Sequence, residues 1–174
     1  FLSDAELTRV MASLRRAFRI APGAETSIEV DPRTVNHDRL AHLASLGFNR
    51  LSFGAQDFDA AVQHAVHRVQ SREMVAALMA SARQLGFEST NVDLIYGLPK
   101  QTPESLQRTV SQVAELRPER IALYSYAHLP QRFKPQRRID SAAIPPAADK
   151  VRMLSEAIAG FVGQGYQYIG MDHF

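Results

Sequence analysis

Three times in this sequence a helix-patterned stretch meets a glycine, then an aromatic residue, then a strand-patterned stretch: Leu46-Gly47-Phe48, Leu85-Gly86-Phe87 and Gln164-Gly165-Tyr166. The glycine supplies the left-handed residue that ends a helix, and the aromatic is placed to plug the seam between that helix and a sheet. The repeating unit is an αβ pair of about 40 residues. Long helical connections between strands force parallel pairing with right-handed crossovers. The fold class is therefore α/β, built from successive parallel (β/α) units of an open or partial barrel. The strand runs are near-continuously apolar, which predicts cover over both faces of the sheet.

Apolar spacing places the elements. Ser3-Asp4-Ala5-Glu6 reads as a capping box, opening a helix through Leu7, Val10, Met11, Leu14 and Phe18. Thr26 to Val30, Asn49 to Gly54, Thr90 to Tyr96, Arg120 to Tyr126 and Tyr166 to Ile169 read as five strands. Helices are predicted around Leu40 to Leu46, Met74 to Leu85, Leu106 to Leu116 and Val151 to Phe161, with Thr102-Pro103-Glu104 as a helix start. Leu129 to Ala148 has no periodicity and carries prolines and a basic cluster, the kind of long excursion that tends to carry function.

Composition removes several classes of function. The net charge is +2, from 20 basic and 18 acidic residues, so nucleic acid is not implied. Cysteine is absent, which excludes disulfides, thiolate nucleophiles and iron–sulfur ligands from this sequence. No apolar run approaches the roughly 18–20 residues of a membrane span, and no signal peptide is evident. Residue 1 is Phe rather than Met, so residues 1–174 are expected to be one domain that is a piece of a longer protein.

In parallel α/β sheets ligands collect at the carboxyl ends of the strands. Glu29 and Asp31 close the first strand, Gln56 and Asp57 follow the second, and Asp93 lies in the third. Tyr124, Tyr126 and His128 close the fourth, and Asp172 and His173 follow the fifth. Each residue alone reads as a cap or loop tie, whereas the joint pattern reads as a rim. Asp93 interrupts an apolar run, and a buried carboxylate is costly unless bonded. It either ties neighbouring strands or meets a ribose or amine. Glu29, flanked by Ile28 and Val30, suits a diol. The Gly97–Pro103 loop could hold an anion at the helix start, without Walker spacing. His64-x-x-His67 has helical spacing but no third ligand, so no metal site is predicted. Arg132, Lys134, Arg137 and Arg138, with Phe133 among them, read as a solvated loop or as a clamp for a polycarboxylate.

Ile28-Glu29-Val30-Asp31-Pro32, the stretch Gly47 to Phe58, the stretch Asn91 to Thr102, Tyr126-Ala127-His128-Leu129-Pro130 and Gly170-Met171-Asp172-His173-Phe174 together resemble, in the same order, the oxygen-independent coproporphyrinogen III oxidase family of the radical S-adenosylmethionine superfamily. Related haem chaperones share the Gly-Leu-Pro-x-Gln-Thr loop but differ after the fourth strand, and the Ala-His-Leu-Pro and Met-Asp-His-Phe blocks favour the oxidase. The resemblance implies a partial (β/α)6 barrel, a 4Fe–4S cluster held by a CxxxCxxC-type motif and two S-adenosylmethionine molecules. It further implies coproporphyrinogen III as substrate, an electron donor of flavodoxin or ferredoxin type, a monomer and a cytoplasmic location. One S-adenosylmethionine yields a radical that takes a hydrogen from the β-carbon of a propionate; loss of carbon dioxide and an electron leaves a vinyl group, and two such events give protoporphyrinogen IX.

Position by position, the resemblance assigns Glu29 and Ala127 to the first S-adenosylmethionine, and Gln56, Arg68 and Asp93 to the second. Asp172 and His173 match a block near the active site and are candidate catalytic residues. Without cysteine, the cluster ligands must lie outside this sequence, and the segment alone is expected to bind no iron and show no activity. A haem chaperone without turnover, and an unrelated (β/α) enzyme using the rim carboxylates as acid and base, are the alternatives.

Overall fold

A computed structural model describes residues 2–174. The chain runs α1 (Asp4–Ala17), β1 (Ser27–Val30), α2 (His37–Ser45), β2 (Arg50–Gln56), α3 (Ala60–Ala65), α4 (Arg72–Gln84), β3 (Ser89–Tyr96), α5 (Pro103–Leu116), β4 (Arg120–Ser125) and α6 (Ala147–Gly163), with short 3-10 turns at Pro32–Thr34, Lys134–Arg138 and Ser141–Ala143. The four strands form one parallel sheet in the order β1-β2-β3-β4. Gly47, Gly86 and Gly165 take φ of +86°, +82° and +93°, so the recurring glycine does end its helix in the left-handed region that side chains disfavour. The predicted capping box also forms, with the Glu6 amide donating to Ser3 Oγ at 3.3 Å and the Ser3 amide to Glu6 Oε2 at 2.7 Å. Of the apolar positions on α1, however, only Leu7 and Met11 are buried.

Each crossover moves one strand along in the same direction, and right-handed crossovers then stack the helices on one side. Leu51, Phe53, Ala55, Val92, Leu94, Ile121 and Leu123 face that side, each at most 1% exposed. They join Leu40, Leu43, Val75, Met79, Leu106, Val110, Met153 and Phe161 in one core, each large side chain contributing about 1.5–3 kcal/mol by leaving water. The other face departs from the expectation of cover on both sides. Glu29, Ser52 and Asn91 are aligned across it in one register row, and Gly54 and Asp93 in the next. Strands with one polar face are what an inner barrel wall requires.

The fifth strand does not form. After Gly170 (φ +100°), Met171 and Asp172 also take positive φ, and the chain folds back antiparallel along β4. Phe174 and Ile121 exchange backbone hydrogen bonds of 2.9 and 3.1 Å, and the Leu123 amide donates to the Asp172 carbonyl at 2.8 Å. The alternating aromatics that read as strand pack locally instead: Tyr166 lies edge-on to Phe161 and donates its hydroxyl to the Pro118 carbonyl, and Tyr168 stacks on Phe174.

The excursion after β4 is tied to the sheet's carboxyl end. Gln136 donates to the Ala127 carbonyl at 2.9 Å, and the Lys100 amide donates to the Ala143 carbonyl at 2.7 Å. His128 Nε2 lies 3.0 Å from Ser141 Oγ.

Candidate functional site

A cleft of about 360 Å³ opens on the polar face and is lined by Glu29, Ser52, Gln56, Asn91, Asp93, Ile95 and Tyr124. Alternation along β2 and β3 puts Ser52 and Gly54, Asn91 and Asp93 on this one face. Asp93 is 8% exposed. Ser52 Oγ donates to its Oδ2 at 2.6 Å, while Asn91 Nδ2 bridges Asp93 Oδ1 and Ser52 Oγ at 2.7 Å each. Burial pushes the Asp93 carboxyl up; the Ser52 and Asn91 bonds and nearby His173 pull against it. Burial likewise raises the Tyr124 hydroxyl, helped by the charges of Asp93, Glu29 and Asp172.

Gly54 pairs with Asp93 across the sheet, beside the cleft lining. A Cβ there would sit 3.0 Å from Gln56 Nε2, 3.3 Å from Arg68 Nη2 and 3.9 Å from Glu29 Oε1, so three side chains close around the absent one. Arg68 donates to the Gly54 carbonyl at 3.0 Å and lies 3.4 Å from Asp31. Its Nε is buried without a partner. Asp31 is held by Arg33 through a fork of 3.0 and 2.7 Å, and that bond keeps its carboxyl below its ordinary 3.8. A lowered carboxylate stabilises the fold above its unfolded pKa and loses that contribution as pH falls through the lower folded value. Arg33→Ala is therefore expected to cost about 1 kcal/mol at neutral pH, a difference that vanishes in strong acid; urea midpoints of both proteins across pH measure it.

The structure thus lines the cleft with Glu29, Gln56 and Asp93 and brings Arg68 to Gly54 beside it, with His173 set edge-on to Tyr124 at 5.9 Å between ring centres. Other candidates fall elsewhere. Ala127 is outside the cleft lining, its carbonyl taken by Gln136. Asp172 joins through its charge on Tyr124. Asp57 is 1% exposed and faces away from the cleft, bonded to Thr109 and Gln101. The histidine pair is not helical, because α3 ends at Ala65 and His67 is left-handed at φ +55°. No group of metal-ligating side chains occurs among the described residues. The amides of the β3–α5 loop are already occupied, since Gln101 Oε1 accepts from Gly97 and Leu98 and Thr102 caps Ser105. Arg132, Lys134, Arg137 and Arg138 are exposed. Ser52 and Asn91 escaped the sequence reading, although polar residues at every second position of β2 and β3 were the signal for them.

The family model of the radical SAM superfamily matches residues 2–113. The oxygen-independent coproporphyrinogen III oxidase of Escherichia coli strain K12 is 52% identical over 174 residues, spanning all of this chain and 38% of that protein. The enzyme of the same name from Pseudomonas aeruginosa is 46% identical over 176 residues, again 38% of its length. The solved structure of coproporphyrinogen III oxidase (HemN) from Escherichia coli, described as a radical SAM enzyme, superposes with a TM-score of 0.95 at 52% identity, covering 99% of this chain and 40% of that one. The chain therefore spans well under half the length of these relatives.

Proposed function

Because the chain belongs to the radical SAM superfamily, we propose that it is the central barrel segment of an oxygen-independent coproporphyrinogen III oxidase. On this reading the longer protein converts two propionates of coproporphyrinogen III to vinyl groups, each losing a β-hydrogen atom, carbon dioxide and an electron. The observation that carries the proposal is the closure of Glu29, Gln56 and Arg68 around Gly54, beside the buried Asp93.

That cradle fits S-adenosylmethionine, with Glu29 toward the first of two molecules and Gln56, Arg68 and Asp93 toward the second. Two carboxylates would accept from ribose hydroxyls and an ammonium, and the Arg68 guanidinium beside them would answer a carboxylate. Glycine lets the ligand approach the backbone. When bound, S-adenosylmethionine supplies hydrogen-atom abstraction upon one-electron reduction. The chain's own residues hold the nucleoside: Ser52 and Asn91 orient Asp93, the Gly54 carbonyl and Asp31 orient Arg68, and Tyr124 with Ile95 walls the cleft. The 4Fe–4S cluster does not fit this chain, which has no cysteine; its ligands belong to another part of the longer protein. A flavodoxin- or ferredoxin-type donor, a monomer and a cytoplasmic setting complete the reading. No helix is long and apolar enough to cross a membrane among the described residues.

The test uses the full-length protein, reconstituted anaerobically with iron and sulfide and given reductant, S-adenosylmethionine and coproporphyrinogen III. The expected result is a divinyl product, with 5′-deoxyadenosine released in step with it. Retention of haem without any vinyl product would instead establish a chaperone.

A further inference from the structure

We infer that Asp57, Gln63, Gln70 and Gln101, none of them in the cleft, form a hydrogen-bonded frame that positions Gln56 and the Gly97–Gln101 loop, the donor–acceptor direction of its Gln101 arm set by the Asp57 carboxylate. The inference rests on the reading of the cleft as an S-adenosylmethionine site. All four side chains are buried, at 1, 6, 2 and 3% exposure. Four buried polar side chains in contact are costly unless bonded, and of their polar atoms Gln70 Oε1 is the one left without a partner.

The first arm grips the end of β2. A register shift between Gly54 and Gln56 marks a bulge there, and Gln56 is left-handed at φ +66°. Such a conformation persists only where the surroundings impose it. Gln70 Nε2 spans the bulge, donating to the Gly54 carbonyl at 3.1 Å and also to that of Ala55. Gln63 locks Gln70 in place: its Nε2 donates to the carbonyls of Asp57 and Gln70 at 2.8 and 2.6 Å, and its Oε1 accepts the Gln70 amide at 3.1 Å. The residue between the bulge and Asp57 is Gln56, which thereby projects into the cleft.

The second arm runs from Asp57 to the loop. Asp57 Oδ1 accepts from the Asp59 amide at 2.7 Å and Thr109 Oγ1 at 2.6 Å, and Oδ2 accepts from Gln101 Nε2 at 2.6 Å. Gln101 Nε2 also donates to the Ile95 carbonyl at 3.0 Å, and its Oε1 accepts from Gly97 and Leu98 at 2.6 and 3.2 Å. Only one orientation satisfies the chain. A donor at Asp57 Oδ2 would oppose the Gln101 NH2, and flipping Gln101 would turn that NH2 against two backbone N–H groups. Asp57 is thus a positioning residue acting through others.

The test uses the full-length reconstituted protein. Asp57→Asn is expected to weaken S-adenosylmethionine binding in equilibrium dialysis by about tenfold or more. It is also expected to speed hydrogen exchange at the Gly97 and Leu98 amides in ligand-free protein, with iron content unchanged. Adding Gln101→Glu restores part of the pattern, because the amide introduced at position 57 then donates to a carboxylate whose oxygens still accept the two loop amides, while the Ile95 carbonyl loses its donor and faces a carboxylate oxygen instead. Exchange at the Gly97 and Leu98 amides is expected to slow again, and affinity to recover in part. Unchanged binding and exchange in Asp57→Asn, or a double variant no better than the single one, overturns the frame. Should Asp57→Asn yield no folded protein, Gln101→Met takes its place, and unchanged affinity there overturns the frame equally. A wild-type protein that binds no S-adenosylmethionine refutes the functional reading instead, while the exchange rates still report on the frame.

Discussion

Asp93→Ala in the full-length protein is expected to lower S-adenosylmethionine affinity by about 10- to 100-fold with only a small change in the thermal midpoint. The two halves have separate causes. Charge-assisted hydrogen bonds are worth about 1.5–3 kcal/mol each, so removing the carboxylate that Ser52 and Asn91 orient removes one or more such bonds to the ligand. The fold, by contrast, gains little from the charge. Burial raises the Asp93 pKa, and a group raised in the folded state contributes stability below its unfolded pKa that is lost as pH climbs through the folded one. Burial thus offsets part of what the Ser52 and Asn91 bonds contribute. Dialysis with labelled ligand, paired with thermal melts, separates the roles. A lower midpoint with intact affinity would mark Asp93 as a tie between β2 and β3 and nothing more.

What the sequence disclosed depended on whether a residue's role is local. Gly47, Gly86 and Gly165 act within one turn, so their pattern read directly as helix ends entering parallel strands. Glu29 and Asp93 announced themselves as charges inside apolar runs. Tyr166 to Ile169 misled because its alternation is genuine, but Gly170 and the two left-handed residues after it turn the chain back before parallel pairing with β4 begins. The apolar look of β2 and β3 concealed their polar face: Ser52, Gly54 and Asn91 are small or neutral, and only the register row shows them aligned with Glu29 and Asp93. Arg68, beside the histidine pair, read locally as a surface arginine or at most an anion partner. Its assignment to the ligand came from family resemblance, and the structure brings it to Gly54 from the loop after α3. The amides of Gln63, Gln70 and Gln101 were equally silent, since their partners lie up to 44 positions away and glutamine is ordinarily a surface residue.

Gly54→Ala carries the other large expected effect and probes the cradle without touching a charged group. The backbone at Gly54 is not among the positive-φ glycines, so alanine fits it without strain and narrows the unfolded ensemble, worth about 0.4–1 kcal/mol in favour of the fold. The added Cβ meets Gln56 Nε2 at 3.0 Å and Arg68 Nη2 at 3.3 Å. Both are ends of flexible side chains, so the fold yields and the two groups move into the space that a nucleoside would take. Crowding of this kind costs about 1–3 kcal/mol, here charged to the bound state, which predicts affinity for S-adenosylmethionine reduced by roughly 5- to 150-fold. Gly54→Val pushes further toward Glu29 and is expected to abolish binding. The ligand-free protein should melt at or above the wild-type temperature in the alanine variant. Wild-type affinity in Gly54→Ala would mean that Gln56 and Arg68 do not converge on a ligand, and the cleft would lose its claim to be the nucleoside site.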